Sequence, residues 1–199
     1  MTNTTERRPT AERRDEIARA VLELIGERGA GALTAARIAE RVGVTSGALF
    51  RHFATVDDML VAAVEEAARL VEASLPSADD APLERIAALV TSRSDLVRAH
   101  PGLAWVLLSD QSYLTLPEPG VRRLRQVVKA TRAFLLAALE EAAERGKLRT
   151  GLEPVALLVI CLGTIHALAR GTQPRGGPQG RTAVVAALIQ LLQNPDPKS

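Results

Sequence analysis

The sequence predicts an all-α protein of about nine helices, and three observations carry that prediction. Apolar residues recur at helical spacing along most of the 199 residues. No segment sustains the apolar/polar alternation of a strand, and β-branched clusters are few. Glycine- and proline-rich breaks such as "GERGAGA" and "LPSADDAP" separate the periodic stretches. With 47% hydrophobic and 24% charged residues the chain can bury a core. Aromatics are only 3%, so that core must come mostly from Ala, Leu, Val and Ile.

The elements follow in order. Ile17, Val21, Leu24 and Ile25 define a first helix, which "GERGAGA" ends. Thr34 is placed to cap a second helix that runs through Ile38 and Val42 to Gly43. Thr45 can cap a third that ends near Phe53. A fourth opens near Thr55, with Asp57 and Asp58 in the first turn, where the helix dipole favours acids. Its stripe is Leu60, Val64, Ala67, Val71 and Leu75. Beyond "LPSADDAP" the spacing predicts helices over 83–99, 101–109, 121–145, 154–170 and 181–192. The loops between them are "SYLTLPEPG", "RGKLRTGLE" and "GTQPRGGPQG"; Pro154 stands where a first-turn proline is tolerated. The expected division is an N-terminal domain over 1–54, with a flexible arm over 1–10, and a helical bundle over 55–199.

The helix at 154–170 is apolar almost all the way round and must be covered on nearly every face. With the stripe Val184, Leu188, Leu191 and Leu192, it predicts a seam against a second copy of the chain; the alternative is a central helix enclosed by its own bundle. The longest apolar run, 155–169, is shorter than the roughly 20 residues that cross a bilayer. The N-terminus carries no apolar signal segment, so a cytoplasmic protein with no membrane partner is expected. Cys161 stands alone, which excludes an intrachain disulfide. Net charge is only +2, so any basic surface must be local.

Function is concentrated in "VGVTSGALFRHF", residues 42–53. Two short helices joined by "RVGVT" fit a helix-turn-helix, whose second helix lies in the DNA major groove with its N-terminal residues against base edges. Gly43 permits the sharp turn, and Val42 and Val44 pin it to the preceding helix. Thr45 and Ser46 offer hydroxyls and exposed helix N–H groups to phosphate. Gly47 and Ala48 keep the outer surface low; Arg51 can reach a guanine edge or a phosphate, and His52 can donate to a phosphate. Leu49 and Phe53 point inward. The bland alternative is a pair of surface helices whose polar residues merely meet water.

The stretch "LTAARIAERVGVTSGALFRHFATVDDML", residues 33–60, resembles the DNA-binding segment of TetR-family transcriptional regulators, and "RRDEIARAVLELIGERGAGAL" before it resembles their first helix. The resemblance covers roughly the first 65 residues. It implies an all-α homodimer that binds double-stranded DNA at a palindromic operator, with a C-terminal bundle for dimerisation, through the helices near 154–170 and 181–192, and for a small-molecule effector. It assigns DNA contacts to Thr34, Arg37, Thr45, Ser46, Gly47, Ala48, Arg51 and His52. The chain departs from the pattern at Phe50 (usually Tyr), Ala36 (often Arg), Ser46 (frequently Lys) and Val56 (commonly Lys). These changes remove a hydroxyl and several cations. DNA affinity then leans on Arg51 and on the cluster Arg7, Arg8, Arg13 and Arg14, which is either an arm reaching flanking DNA or a solvated tail interleaved with acids.

In the bundle, the polar or aromatic residues on apolar helices are Trp105, Tyr113, Phe134, Cys161 and His166. They are the candidate ligand contacts, and the alternative reading of each is ordinary core or interface. A pocket so poor in aromatics and charges suits an apolar or weakly polar ligand. An alternative is control by a partner protein, or no ligand control. Three scattered histidines and one cysteine have no metal-ligand spacing, and no cofactor motif is present. His100, Ser109 and Asp110 lie close in sequence but without a nucleophile elbow or phosphate loop, so no enzyme is expected.

Overall fold

The structure, a computed structural model, describes residues 10–171 and 177–194. Among them are α1 (Thr10–Arg28), a 3-10 turn (Ala30–Ala32), α2 (Ala35–Val42), α3 (Ser46–Leu49), α4 (Val56–Ala73) and α5 (Pro82–Ala99). Then follow α6 (Pro101–Leu108), α7 (Gln111–Thr115), α8 (Glu118–Glu144), α9 (Pro154–Ala169) and α10 (Gly177–Leu192). The described residues contain no strand; Leu148 and Gln193 form an isolated bridge.

The count exceeds the expected nine by α7, which starts at Gln111 and takes the first four residues of "SYLTLPEPG". Five residues are too few to display a period. What makes the turn is local: buried Ser112 donates its hydroxyl to the Ser109 carbonyl at 2.7 Å, and Leu116 closes the turn onto Ser112. Helix α8 starts at Glu118 rather than 121, because Pro119 falls in a first turn that needs no N–H from it. Helix α10 begins four residues before the expected 181.

Packing divides the chain into two compact units. One takes residues up to Arg69 with His100–Leu124; the other takes Leu70–Ala99 and residues from Arg125. A cut at 54/55 follows the end of the DNA-binding segment, whereas the compact units follow burial and place α6 and α7 with the N-terminal helices.

In the first unit, Ile17, Val21, Ile25, Ile38, Leu49 and Met59 are fully buried, joined by Leu103 and Val106 of α6. Helices α1 and α6 meet backbone to backbone. A Cβ on Gly102 would stand 2.0 Å from the Leu22 carbonyl oxygen, and one on Gly26 would stand 2.4 Å from the Gly102 nitrogen. Only glycine permits that approach.

In the second unit, α5, α8, α9 and α10 close around Ile86, Leu89, Leu135, Leu139, Leu158 and Cys161. The segment after α8 is tied to the end of α10 by Arg149 N–H to the Leu192 carbonyl and Asn194 N–H to the Lys147 carbonyl, both 2.8 Å. Helix α9 buries Leu157, Leu158, Cys161, Ile165 and Leu168, but its bundle leaves the opposite face open. Val155, Val159 and Ile160 are 63%, 62% and 53% exposed, and Leu191 of α10 is 62% exposed. The reading of this helix as enclosed by its own bundle is therefore corrected: one chain supplies too few neighbours to cover it.

Gly102→Ala should lower stability by about 1–3 kcal/mol or more through overpacking, measured by urea denaturation; an unchanged midpoint would contradict the α1–α6 contact. Burial pushes the Cys161 thiol up to about 11, so it stays protonated at neutral pH. Alkylation of Cys161 should keep pace with global unfolding, and rapid labelling of the native protein would contradict its packing.

Candidate nucleic-acid interface

Thr34 ends the chain's extended approach and caps α2, its side chain accepting the Arg37 N–H at 3.3 Å. Gly43 ends α2 at φ 72° and ψ 37°, the left-handed conformation a side chain resists. Val44 turns back, its N–H reaching the Ala39 carbonyl at 2.9 Å. Thr45 then caps α3, accepting the Ala48 N–H at 3.3 Å. Regular helix stops at Leu49, short of the expected end near Phe53. Helical bonding continues loosely: His52 N–H reaches Leu49 at 2.8 Å and Phe53 N–H reaches it at 3.1 Å.

Burial sorts this segment into two faces. Leu49 is 0% and Phe53 3% exposed, so both anchor inward. Thr34, Arg37, Thr45, Gly47 and Arg51 are exposed, while Ser46, Ala48 and His52 are half-buried. Gly47 has no neighbour within 4 Å of a would-be Cβ, and its φ is not positive. The fold itself does not demand a glycine there. Phe50, where a tyrosine hydroxyl would serve phosphate, is 46% exposed.

The segment's exit is also fixed. Thr55 and Asp58 form a reciprocal capping box at the start of α4: Thr55 N–H donates to the Asp58 carboxylate at 3.0 Å, and Asp58 N–H to Thr55 Oγ1 at 3.0 Å. Arg14 donates to the His52 carbonyl, and its guanidinium lies 4.1 Å from the Phe53 ring centroid. His52 Nδ1 is buried without a hydrogen-bond partner, leaving donation outward to the other ring nitrogen.

Several cations are already engaged. Arg13 pairs with Glu16 at 2.8 Å. Arg41 pairs with Glu27 at 2.7 Å and Glu23 at 3.3 Å; its hydrogen bond holds the Glu27 carboxyl below the usual range and raises Arg41 in turn. Arg37 donates to the Ala32 carbonyl at 2.5 Å from an exposed position. The arm reading of the arginine cluster is thus corrected for Arg13 and Arg14, which lie in α1 and have partners within it or across to His52 and Phe53. Arg7, Arg8 and the rest of the arm before Thr10 lie outside the described residues, as does most of the "GTQPRGGPQG" loop. Sequence reasoning missed Arg14 as an anchor and Arg41 as the centre of an ion-pair triad. Their partners are 38, 18 and 14 residues away, so no local spacing signals them.

The five candidate ligand residues are distributed over the two units. Trp105 on α6 and Tyr113 on α7 belong to the first unit, half-buried and exposed respectively. Phe134 packs half-buried against the core of the second unit, Cys161 lies inside that core, and His166 is exposed on α9. Desolvation, then Arg170, lowers the His166 pKa. A groove of about 560 Å³ in the second unit is lined by α5, α9 and α10, including Thr91, Asp95, Leu168 and Ile189, and by none of the five. Scarcity picked those residues out, and scarcity does not report which way a side chain faces. Among the described residues no three His, Cys, Asp or Glu side chains gather to hold a metal ion, and no helix is long and apolar enough to cross a membrane.

The family of bacterial regulatory proteins, tetR family, matches over residues 17–63, the stretch from α1 into α4. The nucleoid occlusion factor SlmA of Marinobacter nauticus is 30% identical over 150 residues, covering 71% of this chain and 72% of that one. Its counterpart in Haemophilus influenzae is 32% identical over 110 residues; the chain spans about half of that relative, 49%, with 51% of its own length. The ketosteroid regulator KstR2 of Mycobacterium tuberculosis superimposes with a TM-score of 0.74 at 21% identity, over 98% of this chain and 97% of that one. AibR in complex with isovaleryl coenzyme A and operator DNA gives 0.72 at 22% identity, over 88% and 97%. At such identities the superpositions speak for the fold alone: an N-terminal helix-turn-helix followed by a helical C-terminal part. Capped α2, left-handed Gly43, the outward α3 and the match at residues 17–63 converge on one conclusion: the chain belongs to the TetR family of bacterial regulatory proteins.

Proposed function

We propose that the protein acts as a homodimeric repressor that reads a palindromic operator with two copies of the Thr45–His52 segment and is released by a small, mostly apolar molecule. One observation carries the DNA part: the one-turn helix α3 and the loose turn after it bury Leu49 and Phe53 and leave Thr45, Gly47 and Arg51 on the open face. In this reading Thr45, Ser46 and the free amides of α3 take phosphate, Gly47 and Ala48 permit close approach, and Arg51 reads a base edge. Thr34 and Arg37 at the start of α2, and His52 beyond α3, hold the flanking backbone.

Dimerisation is supported by the open face of α9 and α10. Val155, Val159, Ile160 and Leu191 form an exposed apolar surface of the kind that marks an interface. A twofold axis then sets the two recognition segments about 34 Å apart or somewhat more, one turn of duplex. Control by a small molecule is supported by analogy with AibR, crystallised with both isovaleryl coenzyme A and operator DNA. The effector works by binding better to the arrangement that does not fit the operator. A second reading has one observation behind it: the SlmA relatives are named nucleoid occlusion factors, which suits DNA occupancy governed by a partner protein or by no ligand.

Selection of bound duplexes from a random pool should yield an inverted repeat. On that duplex Arg51→Ala should cost about 1–3 kcal/mol of binding and relax preference at one position of each half-site. Unchanged affinity and preference would remove Arg51 from the interface. Val159→Glu combined with Ile160→Glu should convert the dimer to folded monomer in sedimentation velocity; a dimer that persists would place the seam elsewhere.

A further inference from the structure

Helix α5 carries two buried arginines, and they are treated differently. Arg85, 8% exposed, meets the Glu141 carboxylate and donates to the Ala78 carbonyl at 3.3 Å. Arg93, 4% exposed, has only neutral partners: the Val71 carbonyl at 3.0 Å and the Thr131 hydroxyl at 3.4 Å. Its Nε is buried with no partner. Burial alone pulls the Arg93 pKa down to about 10, with no carboxylate acting to raise it, so the guanidinium remains charged at neutral pH. A charge taken out of water carries a large desolvation cost that an opposite charge normally offsets.

The surroundings are apolar and poor in acceptors. Val90 and Val97 share the Arg93 face of α5, and Val127 and Leu135 share the Thr131 face of α8; all four are buried. The neighbouring Ser94 hydroxyl is spent on the Val90 carbonyl at 2.5 Å. Three of the five guanidinium N–H groups therefore have no acceptor among the described residues.

We propose that Arg93 is the recognition point for the effector, and that the effector is a carboxylate carried on an apolar skeleton. The planar fork of a guanidinium fits a carboxylate through two parallel bonds, and the valine and leucine faces suit hydrocarbon rather than a sugar or a polyanion. This deepens the ligand-controlled reading above and rests on it. The competing role is structural, since Val71 lies in the last turn of α4, where a cation is favourable. That carbonyl, however, already accepts the Ser74 N–H at 3.3 Å and the Ser74 hydroxyl at 2.8 Å. A helix-end cation also acts from the surface without being buried.

The test uses the full chain on its selected operator duplex. Release is titrated with linear carboxylates from acetate to dodecanoate, with the matched primary alcohols and with the matched alkylammonium salts. A carboxylate of intermediate length should release the duplex and raise the thermal midpoint, with the matched alcohol at least about tenfold weaker. Arg93→Gln should erase that preference while operator binding without ligand stays intact. Should Arg93→Gln fail to fold, Arg93→Lys decides. It keeps the charge but not the fork, so the carboxylate response should fall about tenfold and the alcohol response stay put. Equal potency of alcohol and carboxylate, or a preference undiminished in the variant that folds, overturns the proposal. Release by the alcohols or ammonium salts alone defeats the anion and leaves ligand control standing. Release by none of the three series defeats the anion as well, and a wider metabolite screen that also releases nothing defeats ligand control with it.

Discussion

Leu49 and Phe53 hold the rest of the interface in place. A single helical turn has no stability of its own, because nucleation costs more than one turn of hydrogen bonds returns. The Thr45 cap contributes about 1 kcal/mol. Burying a leucine and a phenylalanine contributes about 1.5–3 kcal/mol each, so packing and not capping keeps α3 formed. Because those two side chains are spent inward, residues between them in register must face out. The polar tip is thus a consequence of how the turn is anchored. Arg14 strengthens the same anchor by lying over the Phe53 ring and bonding the His52 carbonyl.

Electrostatics around the tip is sparing. Arg13, Arg14 and Arg41 are committed to partners inside the chain, while Arg51 is exposed and takes part in no ion pair among the described residues. With a net charge of only +2, steering by the whole-molecule field is weak. In the proposed reading, recognition depends on shape, on helix N–H groups and on a few well-placed cations. That fits the loss of tyrosine and lysine at Phe50, Ser46 and Val56.

What could be read from the sequence was local. The Thr34 and Thr45 caps, the left-handed Gly43 and the acidic opening of α4 each act within four residues, and each appears where its residue type demands. The open face of α9 was legible for a different reason: a helix apolar all round exceeds what one small bundle can cover. Non-local features stayed hidden. Nothing near "HPG" announces that Gly102 meets Leu22 of α1, and so nothing announces that α6 joins the N-terminal unit. Arg93 sits in "TSRSD", where nothing in the local sequence singles it out, yet it is among the most buried polar residues described.

In the proposed reading, the amides and side chains at the start of α3 meet DNA. Residue-resolved amide exchange with and without the selected duplex tests this directly, because Ser46 and Gly47, at the first positions of α3, have no intrahelical acceptor for their N–H groups. Binding should slow exchange at Ser46 and Gly47 along with the flanking turn. Tight binding that leaves those two amides exchanging as fast as in the free protein, with protection confined to other surfaces, would contradict the account.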